Sequence, residues 1–436
     1  MNGADTVPVV TARASWPDRA AARFVLAAMR RWRAGAFTLV LPDGDHVHIG
    51  EPERPPEVTV TVRAWTFFRR VLAAGDIGVA ESYMAGEFTA SDLVTMCALF
   101  LRDQSLTPHR TAWTLPKRAW HRALQWARAN TPRGSRRNIV AHYDLSNDLY
   151  RLFLDDDLLY SCAVYAREDE SLEAAQRRKM DQICRQLGLQ PGMEVLDIGC
   201  GWGAMALHVA GTYGCRVTGL TLSNQQLTLA RERVAAAGLS DRVRIELCDY
   251  RHARGRYDRI VSIEMFEAVG FKHYDEFFGA CDRLLKPDGT MILQTITMLD
   301  QKFHIYRKRC DWIQKYIFPG SELASVSGIL RSLARATRLS PFHLEDIGTH
   351  YARTLAAWRE RFHASLPAVR KLGFDDRFIR MWDFYLAYCQ GAFLERHIGD
   401  VQLLLGKNHN PRPLFDEPWT EEERAADLYV RGGFSK

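Results

Sequence analysis

Nine consecutive residues, Val195-Leu196-Asp197-Ile198-Gly199-Cys200-Gly201-Trp202-Gly203, limit the fold of this chain more than any other stretch. A short apolar strand, Glu194 to Ile198, runs into a loop with glycine at alternate positions, and a helical run from Ala204 to Tyr213 follows. Glycine lets the backbone turn tightly and approach a ligand where a Cβ would clash. Strand and helix patterns then alternate. Strands are expected at 216–220, 242–247, 258–263 and 290–295, with helices at 224–237 and about 273–285. Such alternation predicts an α/β fold, a doubly wound, mostly parallel, Rossmann-like sheet with ligands at the carboxyl ends of its strands. After residue 300 the chain reads as mainly helical and is expected to lie on top of the sheet as a lid.

The glycine loop alone is ambiguous, because Gly199-x-Gly201-x-x-Ala204 also satisfies a dinucleotide fingerprint. Two features decide against a nicotinamide cofactor. Asp197 stands two residues before the first glycine, where methyltransferases place an acidic residue. The second strand ends in Gly219-Leu220-Thr221-Leu222-Ser223, without the acidic residue that would grip a nicotinamide ribose.

At 436 residues the chain exceeds the roughly 250–300 residues at which single cores stop growing, so more than one domain is expected. Residues 36–41 and 46–49 flank Pro42-Asp43-Gly44-Asp45 as strand, turn and strand, and Val58 to Val62 alternates with threonine as a third strand. With helical patterns at 65–74 and 91–101, residues 1–105 read as a small α+β domain. Residues 106–137 read as a linker helix and 138–436 as the catalytic domain. No residue between Asp103 and Asp144 is acidic, whereas Lys117, Arg118, Arg122 and Arg128 fall there with Trp113, Trp120 and Trp126. A helix begun at Pro116 places Trp120, Ala123, Leu124 and Ala127 on one face. That pattern suits an anionic membrane surface, and a solvated linker helix is the plainer alternative; nucleic acid is not expected as a partner. No apolar run approaches the ~20 residues of a membrane-spanning helix, and Ala21 to Met29 leads into Arg30, Arg31 and Arg33 rather than a cleavage site. The nine cysteines are scattered without a CxxC pair, which argues against structural zinc and disulfides and leaves no metal expected. A cytoplasmic protein, peripherally attached to the inner face of the membrane, is the expectation.

The segment Ala141-His142-Tyr143-Asp144-Leu145-Ser146-Asn147-Asp148, followed by Tyr160-Ser161-Cys162-Ala163, resembles a signature of the cyclopropane fatty acid and mycolic acid synthases. The resemblance continues through Leu196–Gly203, Gly219–Gln226, Met265-Phe266-Glu267, Tyr316-Ile317-Phe318-Pro319-Gly320 and Tyr351-Ala352-Arg353-Thr354-Leu355, over roughly 138–408 in the family's order. It implies a class I methyltransferase that passes the methyl of S-adenosylmethionine to double bonds of phospholipid acyl chains, forming a cyclopropane ring. The cofactor pocket would be lined by Tyr143, Tyr160, Ser161, Gly199, Cys200, Gly201, Thr221 and Gln226, with Asp197 orienting the loop and Tyr250 as a weak adenine contact. Glu267 and Tyr351, with the backbone around Cys162 and Ile296, would surround a bicarbonate that acts as the base, and Tyr143, Tyr160 and Phe303 would face the carbocation. Taken singly, a glutamate after a strand is usually a cap, a cysteine filler and a tyrosine core; the multi-motif match raises their functional reading.

The chain departs from the family at Leu293-Gln294-Thr295-Ile296, where many members carry histidine in place of Gln294. An amide donates and accepts hydrogen bonds but does not titrate near neutrality. This opens a second product, a methylene or methyl branch on the same chains. Tyr250-Arg251 is a further departure, standing where some members have Trp-Glu. A small-molecule N- or O-methyltransferase and a lipid-binding protein without catalysis are the competing readings. For the N-terminal unit, dimerisation into a homodimer and membrane docking both stay open.

Overall fold

The computed structural model describes residues 14–50, 56–102, 146–408 and 410; the basic segment 106–137 and Tyr143 lie outside them. The chain divides into two compact units.

The first unit gathers the N-terminal elements with residues 311–313 and 365–397. Its sheet has the order β2-β1-β3-β4, with β1 Ala36–Val40, β2 His46–Ile49, β3 Glu57–Val62 and β4 Phe88–Ala90. In β3 the valines at 58, 60 and 62 are buried while Thr59 and Thr61 are half-exposed, the period-two pattern of a strand with one covered face. The helix Asp376–Leu394, expected on the large sheet, belongs to this unit instead. Gly391 lets it close on the helix Leu93–Arg102, since a Cβ there would lie 2.9 Å from the Ala98 nitrogen. Tyr83 Oη–H also donates to Asp383 Oδ2 at 2.5 Å. An apolar helix face reveals that it is buried, but not against what.

The second unit is built on seven strands in the order β10-β11-β9-β8-β5-β6-β7. These are β5 Glu194–Ile198, β6 Arg216–Thr221, β7 Val243–Leu247, β8 Tyr257–Ile263, β9 Leu285–Met298, β10 Leu339–Asp346 and β11 Ile398–Lys407. Strands β5 to β9 pair in parallel, while β11 lies antiparallel between β9 and β10. Both β10 and β11 fall in the stretch expected to be helical. Strand β11 is buried on both faces, so Val401 to Leu405 lacks strand alternation, and its short run of leucines does not distinguish strand from helix. Alternate residues feed two cores. Leu196, Ile260, Leu293 and Leu405 pack on one face with the helix Tyr274–Leu284. Val195, Val261, Ile292 and Leu404 pack on the other with the helices Leu172–Leu187 and Ala204–Tyr213. Covering on both faces makes the sheet doubly wound, and its strand order reverses between β5 and β8, where the fold opens a crevice. Among the described residues, no helix is long and apolar enough to cross a membrane.

Candidate active site

The crevice holds a cavity at the carboxyl ends of β5, β6 and β8. The glycine loop makes its floor. Gly199 and Cys200 both donate their N–H groups to the Leu220 carbonyl, at 3.0 and 2.9 Å, which pins the loop to the end of β6. Gly199 has φ +86°, and a Cβ there would come within 2.6 Å of the Met265 side chain. Tyr160, Ser161, Asp197, Cys200, Gly201, Thr221, Gln226 and Tyr250 line the same cavity with Gly199, so each described residue expected at the cofactor is brought to it. Thr221 Oγ1–H donates to Gln226 Oε1 at 2.7 Å. Asp197 is 3% exposed, its Oδ2 is buried without a hydrogen-bond partner, and burial pushes its carboxyl up to about 7. The expected loop-orienting bond is not made by that oxygen. Asp249, which pattern reasoning passed over, also lines the cavity and accepts Arg251 Nη2–H at 2.7 Å.

The cavity's other wall carries Glu264, the residue directly after β8. Its φ is +48°, a left-handed conformation that costs a non-glycine residue about 1–3 kcal/mol. The surroundings hold it there. Glu264 N–H donates to the Gln294 carbonyl at 2.8 Å. Its Oε1 accepts Cys162 N–H at 2.7 Å and Gln294 Nε2–H at 2.8 Å, and its Oε2 accepts the Tyr351 hydroxyl at 2.5 Å. Gln294 Nε2 also donates to Asp400 Oδ2 at 3.1 Å, and Gln294 Oε1 accepts from Gln402 at 3.1 Å. Glu267 sits one turn on, in the 3-10 turn Phe266–Ala268, and its Oε1 accepts Ile296 N–H at 2.6 Å and Thr295 Oγ1–H at 2.9 Å. Thus Glu267, Tyr351, Cys162, Gln294 and Ile296 do come together, but around the carboxylates of Glu264 and Glu267.

Burial raises these acids. Glu267 is pushed up to about 7, by burial first and by the Glu264 charge second. Glu264 and Asp400 are both raised, burial being the main cause, and Asp400 rises further through the neighbouring Glu264 charge. Glu264 has three donors to stabilise its anion, so the charge rests on Glu264 and the proton on Asp400. Lys179 is fully buried, donates to Ser161 Oγ at 2.6 Å and is lowered by burial. Burial holds the Cys162 sulfur as a thiol well above its ordinary value, so this residue contributes its backbone N–H.

Aromatic rings cluster around Tyr160, which lines the cavity, and Tyr351, which bonds Glu264. The Tyr160 ring lies 5.3 Å from Trp358 and 6.3 Å from Phe318, and Tyr351 lies 6.0 Å from Trp358. Phe303 does not line the cavity; it lies 5.6 Å from Phe271 with the Arg307 guanidinium over both rings. Sequence reasoning missed Glu264, Asp400, Lys179 and Trp358. Only Glu264 had a signal available, as an acid at the carboxyl end of the strand beside the switch point.

The family model described as mycolic acid cyclopropane synthetase matches residues 130–403. The chain is 39% identical to the tuberculostearic acid methyltransferase UfaA1 of Mycobacterium tuberculosis, over 86% of this chain and 88% of that protein. It is 40% identical to the cyclopropane-fatty-acyl-phospholipid synthase of Escherichia coli, over 79% and 86% respectively. Among solved structures, the cyclopropane synthase MmaA2 from Mycobacterium tuberculosis aligns with a TM-score of 0.59 at 33% identity, covering 62% of this chain and 98% of that one. The mycolic acid cyclopropane synthase CmaA1, complexed with SAH and CTAB, gives the same TM-score at 36% identity, with the same coverage.

Proposed function

The chain belongs to the mycolic acid cyclopropane synthetase family of S-adenosylmethionine-dependent methyltransferases, and from that premise we propose that it methylates the double bond of an unsaturated phospholipid acyl chain, closing it to a cyclopropane. The observation that carries the reading is the junction of the two walls. The glycine cradle for the cofactor shares its cavity with Tyr160 and with Glu264, whose carboxylate accepts the Tyr351 hydroxyl.

An alkene is a weak nucleophile, so it needs a strong electrophile and close alignment. S-adenosylmethionine supplies a sulfonium methyl when bound. The cradle fits it: the positive-φ glycines leave the loop open to close approach, and the partnerless Asp197 oxygen awaits a donor. Methyl addition leaves a cation on the acyl chain. The Tyr160 ring, which lines the cavity and packs against Trp358, supplies a π face that stabilises positive charge, and the buried setting keeps water from trapping it. The groups expected to hold bicarbonate are each bonded to a carboxylate of the protein, so no step of this reading passes through that ion.

The basic segment 106–137 would carry the enzyme to anionic membrane surfaces. Incubation with S-adenosylmethionine and liposomes of an oleoyl phospholipid tests the reading. A gain of one CH₂ with high-field ring protons in the NMR spectrum is expected. A second product, the methylene branch, is favoured by Gln294 in the place of histidine; it would show the same mass gain with vinylidene protons. No mass gain, with cofactor binding intact, refutes the substrate class.

A further inference from the structure

We propose that the Glu264 carboxylate is the proton acceptor of the reaction, occupying with its own oxygens the place of an external anion, so that the enzyme turns over without bicarbonate. The proposal rests on the alkene-methylation reading above and names the base for it.

Three observations lead there. First, the donors that would cradle a small planar anion, Cys162 N–H, the Gln294 amide and the Tyr351 hydroxyl, all point at Glu264, at 2.7, 2.8 and 2.5 Å. They come from three separate segments: the loop before the helix Leu172–Leu187, the strand β9, and the helix Gly348–Ala364. A carboxylate is itself a planar anion with about four acceptor positions. Three are used, and one is left for a proton. Second, Glu264 reaches this place only through a left-handed backbone, φ +48°. An unfavourable conformation at a ligand cavity, held by a backbone bond to the Gln294 carbonyl, marks a position kept for function. Third, Glu264 lines the same cavity as the glycine loop and Met265, whereas Glu267 does not line it. Glu267 instead takes the Ile296 and Thr295 donors, which makes it a positioning residue for the end of β9.

The step balances within the chain's own groups. The alkene π pair forms the new C–CH₃ bond as the S–CH₃ bond breaks and its pair stays on sulfur. A C–H bond of the transferred methyl then gives its electrons to the cationic carbon, closing the ring, and its proton passes to Glu264. The proton leaves to water after the product departs. Asp400, facing Glu264 from β11 beside Gln294, stays protonated and so leaves the negative charge on Glu264.

The test strips bicarbonate from the holoenzyme assay by purging with argon at low pH before adjusting the buffer, then adds it back. Wild type is expected to keep its rate in both conditions. Glu264→Gln keeps the shape and loses the acceptor, so turnover should fall about 10²–10⁴-fold with S-adenosylmethionine affinity unchanged by calorimetry. Glu264→Gly frees all three donors and opens the space, so added bicarbonate should restore part of its activity. Binding of ¹³C-bicarbonate, followed by NMR line broadening, reads the site without turnover: none to wild type, and binding to Glu264→Gly. A wild type that loses activity when stripped and recovers with bicarbonate overturns the proposal, as does Glu264→Gln at the wild-type rate. A wild type that binds cofactor and excludes bicarbonate, yet leaves oleoyl lipid unchanged, keeps the filled anion site and refutes the substrate reading instead.

Discussion

Asp197 gives the sharpest prediction about the cofactor cradle. Its carboxyl lies at about 7 against an ordinary 3.8, through burial alone. A difference of roughly 3 units, at ~1.4 kcal/mol each, corresponds to a penalty near 4 kcal/mol for the folded, ionised state; relaxation of the site reduces this to about 2–4 kcal/mol. Since the folded value lies above the unfolded one, the associated stability is complete below about pH 4. It drains as the pH rises and is gone above about pH 7. Asp197→Asn is neutral throughout. It should match wild type near pH 4 and exceed it at pH 8 by roughly 4–16 °C in Tm, at ~2–4 °C per kcal/mol for a unit of this size. The same change removes the buried Oδ2 acceptor. Losing a charge-assisted hydrogen bond to the cofactor, worth about 1.5–3 kcal/mol, weakens S-adenosylmethionine by roughly 10–100-fold. Differential scanning fluorimetry across pH and calorimetry with the cofactor measure both halves. An Asp197→Asn chain no more stable than wild type at pH 8 would refute the burial argument, and undiminished affinity would refute the role of the orphaned oxygen.

Three further outcomes are expected. Cys162→Ser should keep turnover within about threefold, a barrier change under ~1 kcal/mol, because the buried thiol is held protonated and only its N–H meets Glu264; a collapse in rate would give the sulfur a role. Tyr351→Phe removes a donor that lowers Glu264, so the acid limb of the pH–rate profile should move to higher pH, and an unmoved limb would separate Tyr351 from the base. Replacing Lys117, Arg118 and Arg122 with glutamate should weaken sedimentation with anionic liposomes, by ~1 kcal/mol per basic residue lost near the surface; unchanged sedimentation would remove that segment from membrane binding.

The parallel strands on the N-terminal side of residue 300 were legible. Periodicity placed β5 through β8 within about a residue, because each is a short apolar run closed by a turn or loop. Legibility failed where both faces of an element are covered. Strand β11 carries Asp400 and Gln402 inside the core, so neither alternation nor uniform apolarity marks it. The helix Asp376–Leu394 falls in the stretch read as mainly helical, yet its partner was not legible, because Gly391 and Asp383 matter only through what they meet across space. The cofactor cradle was readable because a glycine loop is a local device. At the acid site Glu267 was read and Glu264 was not, since the two differ in a backbone angle that no spacing encodes.

Gln294 joins what was legible to what was not. As an isolated departure from histidine, it left only the product in question. In the site it is a neutral amide placed between two acids. Its nitrogen donates to both Glu264 and Asp400, and its oxygen accepts from Gln402. A histidine between those carboxyl groups would be driven toward its cationic form, pairing with Glu264 and weakening it as a base. The amide supplies hydrogen bonds without charge, so it fixes the carboxylate and leaves its basicity to burial. The substitution at residue 294 and the acid at residue 264 therefore belong together, and each is understood only with the other: a base carried by the chain needs a neighbour that cannot take its proton.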